Sequence, residues 1–422
     1  MNTRPSNRSR WHTDGLCQHF LGTLLLVALL VSHGNTAYAD PVTVNALSTT
    51  LISDAERMIA LRHTERMWQT GDGALHVLIN QGGLAEDGAS LQLYTSLDAG
   101  QSWQAMNRLT DTDKFSTADG LLIGDNLGIA YAANNGKILY SILRYNRVTK
   151  VWTLLKTETV VDAADSVAIN PAIAVDDIGR LWCAFVNKIR GTLETNIKLF
   201  QRTADGSLWQ DTGLTFGPTD VDATVGERSA RPVITANGVG MIYTVRENIF
   251  WAYRLNTWPA TTPWVEQVIF TGTPPYDRDP YNSHFSVVVD GNRNVHMATV
   301  DHGKLLYLRF VNRTQSWNPV RTLTSDIYAN YPQISIAQNV LAIVVNAGQS
   351  AIALQSTNVG NTFSYTTFLT HDAPPPDGSV SYANPRIETP GKSFGPIPVF
   401  QQYVEGSTQR LMYFQVPLIT GP

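Results

Sequence analysis

The chain has 422 residues, of which 43% are hydrophobic and 16% charged, with a net charge of −4 and two cysteines. A weakly acidic chain of this kind lacks the basic footprint of a nucleic-acid binder, and two cysteines cannot build a disulfide framework.

The first 39 residues read as a signal peptide. Arg4, Arg8 and Arg10 precede an apolar run over 20–31, and Ala37-Tyr38-Ala39 has the small-x-small form of a cleavage site. The mature chain is therefore expected to start at Asp40, exported to the periplasm or secreted. It keeps one cysteine, Cys183, in the apolar string Leu181-Trp182-Cys183-Ala184-Phe185-Val186, where a buried, inert thiol is expected. No later run is apolar for long enough to span a membrane. Residues 40–422 show no linker or low-complexity tract and are read as one domain.

Residues 42–52 form the first strand-like run. Ser53-x-x-Glu56 then has the capping-box pattern, which predicts a short helix over about 54–61. A repeat of short strands follows. The first copy runs through 65–69, 75–80 and 91–95 to Trp103. The third is the clearest, with strands at 171–175, 181–186 and 197–201 before Trp209. The last copy has three strands, at 386–388, 398–403 and 411–416.

The aromatics at the fourth strands set the period. Trp103, Trp152, Trp209, Trp264 and Trp317 are 49, 57, 55 and 53 residues apart, and Phe363 follows 46 later. Strand repeats of this length indicate a β-propeller, because one four-stranded blade cannot bury its own faces. The predicted fold is all-β, a seven-bladed propeller of four-stranded antiparallel blades. The run over 42–52 supplies the strand missing from the last blade and closes the ring without an open edge.

The turn Ser96-Leu97-Asp98-Ala99-Gly100-Gln101-Ser102-Trp103, echoed by Ser356-Thr357-Asn358-Val359-Gly360-Asn361-Thr362-Phe363, resembles the Asp-box, or BNR repeat, of sialidases and related propellers. Local turn chemistry explains Ser96, Asp98, Gly100 and Trp103, so a structural role is assigned to them. The resemblance implies that these turns lie away from the active site. The chain departs from true sialidases: the Arg-Ile-Pro stretch is missing, Arg386-Ile387-Glu388 being the nearest string, and sialidases have six blades. No sialidase catalytic residue is carried over. The resemblance also extends to seven-bladed polysaccharide lyases and lectin-like proteins.

In a propeller, the loops leading into the innermost strands converge on one channel mouth. Residues before those strands include His63, Arg66, Asp119, Asn170, Arg228, Arg231, Asn282, His284, Asn330, Tyr331, Tyr382, Asn384 and Arg386. From these, Arg66, Arg231, Arg386, Asn170, Asn330 and Asn384 are the substrate-binding candidates. His284, Tyr331 and Tyr382 are the catalytic candidates. Arginine grips a carboxylate through paired hydrogen bonds, and aromatic faces pack on sugar rings. Asn-Pro pairs are also ordinary turn punctuation, and a lone histidine is more often structural. Asp301-His302-Gly303 is read as a solvated hairpin turn. The expected partner is an acidic glycan or cell-surface polysaccharide, with another protein as the alternative. The chain would act as a glycoside hydrolase, as a polysaccharide lyase or as a non-catalytic scaffold. No metal-ligand spacing and no cofactor motif are present.

Overall fold

The computed structural model describes residues 42–419 apart from 45, 60–62, 84–87, 204–205, 207, 221–227, 260–261, 275–283, 325–329, 348–349, 371–379 and 382–385, and apart from the side chains of 218–220, 330, 369 and 380–381. The chain divides into Met1–Tyr38 and Ala39–Pro422. The first unit, with the expected signal peptide, lies outside the described residues.

Ala39–Pro422 is an all-β propeller built on a four-stranded antiparallel plan. Among the described residues its strands form seven sheets in chain order. The first runs outward from Met67–Gln69 through Leu75–Gln81 and Ser90–Ser96 to Gln104–Arg108. The second to sixth begin at Ala118–Ile123, Ser166–Val175, Ala230–Ile234, Ser286–Val289 and Asn330–Ala337. The seventh is composite. Ile387–Glu388 and Val380–Ser381 pair with Ile397–Glu405, which pairs with Thr408–Val416, and Leu47–Ser53 completes the sheet.

Burial explains this layering. Leu75–Gln81 and Gly238–Val245, second strands of their sheets, are buried throughout, whereas Val265–Thr271 at an outer edge is largely exposed. A middle strand covered on both faces can be a nearly continuous apolar run, as Gly238–Val245 is. Among the described residues, apolar cores fill the spaces between neighbouring sheets. One joins Leu127 and Ile129 to Leu91 and Leu93, between the first and second sheets. Another joins Phe400, Leu411 and Tyr413 of the seventh sheet to Met67, Val77 and Ile79 of the first.

The periodic aromatics each reach back to the preceding sheet. Trp152 packs edge-on to His76, Trp209 to Tyr140, Trp264 to Trp182, Trp317 to Trp251 and Phe363 to Tyr307. Trp103 packs against Phe400 and Tyr413 of the seventh sheet. The period is thus the signature of one repeated contact, an outer-strand ring laid on its neighbour.

The two resembling turns also share their bonds. The Ser96 and Ser356 hydroxyls accept the amides of Gly100 and Gly360 at 2.8 and 2.9 Å. Asp98 and Asn358 accept the amides of Ser102 and Thr362, again at 2.8 and 2.9 Å. The Trp103 indole donates to the Gly100 carbonyl at 3.1 Å.

Two expectations need correction. No helix follows Ser53 among the described residues. Its hydroxyl accepts the amides of Ala55 and Gly82 at 2.9 and 2.8 Å, so this cap ties two loops together rather than starting a helix. The run over 42–52 is also not one strand. Val42–Thr43 pairs in parallel with the outer strand of the sixth sheet, and only Leu47–Ser53 joins the seventh. Asp301-His302-Gly303 does form a hairpin between second and third strands, with His302 and Gly303 at positive φ. Among the described residues no helix is long and apolar enough to cross a membrane.

Candidate functional site

Strand direction defines two ends. The upper end is where the chain passes into each innermost strand. Because strands alternate, hairpins between first and second strands, and turns such as 96–103, lie at the lower end.

At the upper end, Asn170 and Tyr331 occupy equivalent positions in the third and sixth sheets. Both have left-handed backbone, with φ of 52° and 48°. Both precede a proline, and both sit where the pairing register shifts, between Ile169 and Ala172 and between Asn330 and Gln333. These are β-bulges, which re-aim a side chain within a strand. Asn170 is buried. Its amide donates to Thr117 Oγ1 at 2.8 Å, and its side chain donates to the Arg228 carbonyl at 3.4 Å. The Arg231-Pro232 step has no bulge: Arg231 pairs with Ile242 and Pro232 with Met241.

Tyr331 gathers two other candidates. Its ring stacks on His284 at 4.4 Å between centroids, tilted by 23°. The Arg386 guanidinium lies 4.3 Å from the ring centre and donates to the phenol oxygen at 3.4 Å. Fifth, sixth and seventh sheets thus bring an imidazole, a phenol and a guanidinium together. A cation over an aromatic face is held by the ring's quadrupole. His284 and Arg386 are 3% and 5% exposed, while Tyr331 is half-buried. Tyr382, Asn384, Asn282 and the Asn330 side chain lie outside the described residues.

The remaining candidate arginines belong to a buried charge cluster one step down the channel. Arg231 Nη1 bonds Asp119 Oδ1 at 2.9 Å and the His63 carbonyl at 2.7 Å, while its Nη2 stands 3.7 Å from Glu65 Oε2. Asp119 also accepts the amides of Glu65 and Ile173, at 2.7 and 2.9 Å. Arg66 donates through its side chain to Asn80 and to the carbonyls of Ala118 and Ser116, and its amide donates to Glu388 at 3.0 Å. Burial raises the Asp119 pKa, and nearby Arg231 opposes this. Burial also lifts Glu65 to about 7 against the pull of Arg231, and lowers Arg66 to about 10 despite Glu388. Carboxylates and guanidinium therefore hold one another in place across the sheets.

Glu65 and Glu388 were not foreseen as site residues. The available signal was spacing. Glu388 ends the strand Ile387–Glu388, two residues after Arg386, and Glu65 stands two residues ahead of Met67–Gln69.

Below this cluster the channel opens into a cavity of about 410 Å3. Glu65 and Arg231 line its inner end, and Trp68, Leu122, Ile173, Val233 and Val288 belong to its wall. Arg147, Arg293, Lys392 and Phe394 stand further down. Among the described residues no group of three or more His, Cys, Asp or Glu side chains could hold a metal ion. Cys183 is buried, and burial pushes its thiol pKa up.

No protein-family model and no curated protein matches this chain. Solved structures do. An ulvan lyase bound to -[GlcA(1-4)Rha3S]-, assigned to a new polysaccharide lyase family, is 10% identical. The match covers 88% of this chain and 96% of that one, with a TM-score of 0.56. The Trypanosoma rangeli sialidase in complex with sialic acid is 12% identical over 78% of this chain and 59% of its own, with a TM-score of 0.48. An Aleuria aurantia lectin mutant is 11% identical over 74% of this chain and 96% of its own, with a TM-score of 0.47. The lyase match establishes a likeness of fold; fold alone does not carry chemistry.

Proposed function

We propose that this protein binds an acidic glycan at the upper mouth of a seven-bladed propeller ring closed by Leu47–Ser53, and that it acts there as a polysaccharide lyase. The observation that carries the reading is the convergence of His284, Tyr331 and Arg386, with the guanidinium 4.3 Å from the centre of the phenol ring. The shared fold with a lyase solved on a GlcA-containing saccharide makes a uronate the first ligand to test.

In this reading Arg386 faces the uronate carboxylate and spreads the negative charge that develops on it. A base, Tyr331 as phenolate or His284 as imidazole, removes the proton at C5. The electron pair forms the C4–C5 double bond and expels the O4 oxygen, which takes a proton from the other group. Arg66 and Arg231 stay in the cluster beneath and fix the floor. The start of the chain supports export, and the turns at 96–103 and 356–363 are read as Asp-boxes with a structural role.

A lectin or protein-interaction scaffold is the second reading. The burial of His284 and Arg386 favours it, since it leaves Tyr331 as the more open member. A glycan array followed by product analysis separates the two. The lyase reading expects binding to uronate polymers and a rise in ultraviolet absorbance from the new double bond. Binding without product supports the scaffold, and failure to bind any acidic glycan overturns both carbohydrate readings.

A further inference from the structure

The lower channel is a second concavity that the glycan reading leaves unused. Two carboxylates, Glu65 and Asp119, share Arg231 at its inner end. Their satisfaction is unequal. Asp119 takes two backbone amides and the close contact of Arg231. Glu65 has the Gly391 amide at 3.2 Å and Arg231 at 3.7 Å, and its side chain keeps 25% of its surface exposed. Of the two, Glu65 lines the cavity. A carboxylate presented to an apolar-walled space is an incomplete site, because burial without a close counter-charge is costly.

We propose that the lower channel binds a small organic amine with an apolar body, its ammonium group against Glu65 and its hydrocarbon along the Trp68, Leu122 and Val288 wall. An anionic ligand that met Arg231 would have to compete with Asp119, which already holds it. The arginines further down are already paired, Arg147 with Asp125 at 2.7 Å and Arg293 with Asp177. Lys392 adds one further cation to the lining. A volume of about 410 Å3 has room for a single ring with a short tail.

The charges acting on Glu65 are Arg231, Asp119 and Lys392, with Glu388 and Arg66 beyond them in the same cluster. Since Glu65 loses its proton near neutrality, amine binding should strengthen as pH rises through that range.

The test is calorimetric titration of the protein with cyclohexylamine, 2-phenylethylamine and tryptamine, and with 2-phenylethanol and 3-phenylpropanoate as neutral and anionic counterparts. At least one amine should bind, about tenfold or more tighter than the alcohol, with the carboxylate weakest. Binding should weaken about tenfold or more between about pH 8 and about pH 5.5. Glu65→Gln should remove both the amine preference and the pH dependence. The measurements on the unaltered protein stand even where this variant does not fold. Equal binding of amine and alcohol, preference for the carboxylate, or no binding by any amine overturns the proposal.

Discussion

Gly100 lies against Tyr413 so closely that a Cβ atom on it would sit 2.1 Å from the tyrosine ring. This contact joins the 96–103 turn of the first sheet to the seventh. Gly360 repeats it in the sixth sheet, where a Cβ would fall 2.0 Å from the Tyr307 hydroxyl of the fifth. The turn therefore needs glycine for packing as well as for its backbone, at φ of 92° and 76°.

Gly100→Ala and Gly360→Ala should each destabilise the fold by about 2–4 kcal/mol, combining overpacking with left-handed strain. Gly124 also has positive φ but nothing within 4 Å of an added Cβ. Gly124→Ala should cost only about 1–2 kcal/mol. Denaturant melts of the three variants would rank them. Equal costs would mean that the ring contacts are not tight.

Asp119 is fully buried and is the closest acid to Arg231. Asp119→Ala should destabilise the protein by about 3–5 kcal/mol, because it leaves a buried guanidinium without its main partner. A loss under about 1 kcal/mol in a urea melt would contradict this arrangement.

His76 is buried and accepts the Trp152 indole N–H on Nδ1 at 3.0 Å, so that nitrogen carries no proton. Burial lowers its pKa from 6.5 to about 3. The unfolded chain then takes up a proton below about 6.5 while the folded chain does not. The stability contributed by neutral His76 is present above that pH and is lost progressively down to about pH 3. His76→Gln should flatten melting temperature against pH in this window. An unchanged slope would show that His76 protonates readily in the fold.

Glu65 has the opposite sign. With its pKa raised from 4.5 to about 7, the folded chain holds the extra proton. The stability this contributes is present below about 4.5 and is lost as pH rises through about 7. Glu65→Gln should therefore gain on the parent protein as pH rises across that interval. Parallel stability curves would contradict the shift.

Much of the architecture was legible in the sequence because propeller repeats are local. Each sheet is nearly contiguous in the chain, and Trp103, Trp152 and their relatives mark the outer strands with a large ring laid on the neighbouring sheet. The upper-end candidates were legible as polar and aromatic residues ahead of strands, and His284, Tyr331 and Arg386 do meet. What sequence could not supply is which side chains face one another across the channel. Arg66 and Arg231 were expected to bind substrate, yet they bond to Asn80 and Asp119. Glu65 gained its place only through packing beside Arg231. The Ser53 cap misled because the same hydrogen bonds serve a loop as well as a helix. The split of residues 42–52 depends on the sixth sheet's edge, which no local pattern announces.

The most direct measurement is titration of a uronate oligosaccharide against the protein, Arg386→Gln and Asp98→Ala. The proposed site predicts at least about tenfold weaker binding for Arg386→Gln, from loss of the carboxylate's partner, and unchanged affinity for Asp98→Ala at the lower end. Equal binding by Arg386→Gln and the parent, or no binding by the parent, would contradict a glycan site at Tyr331.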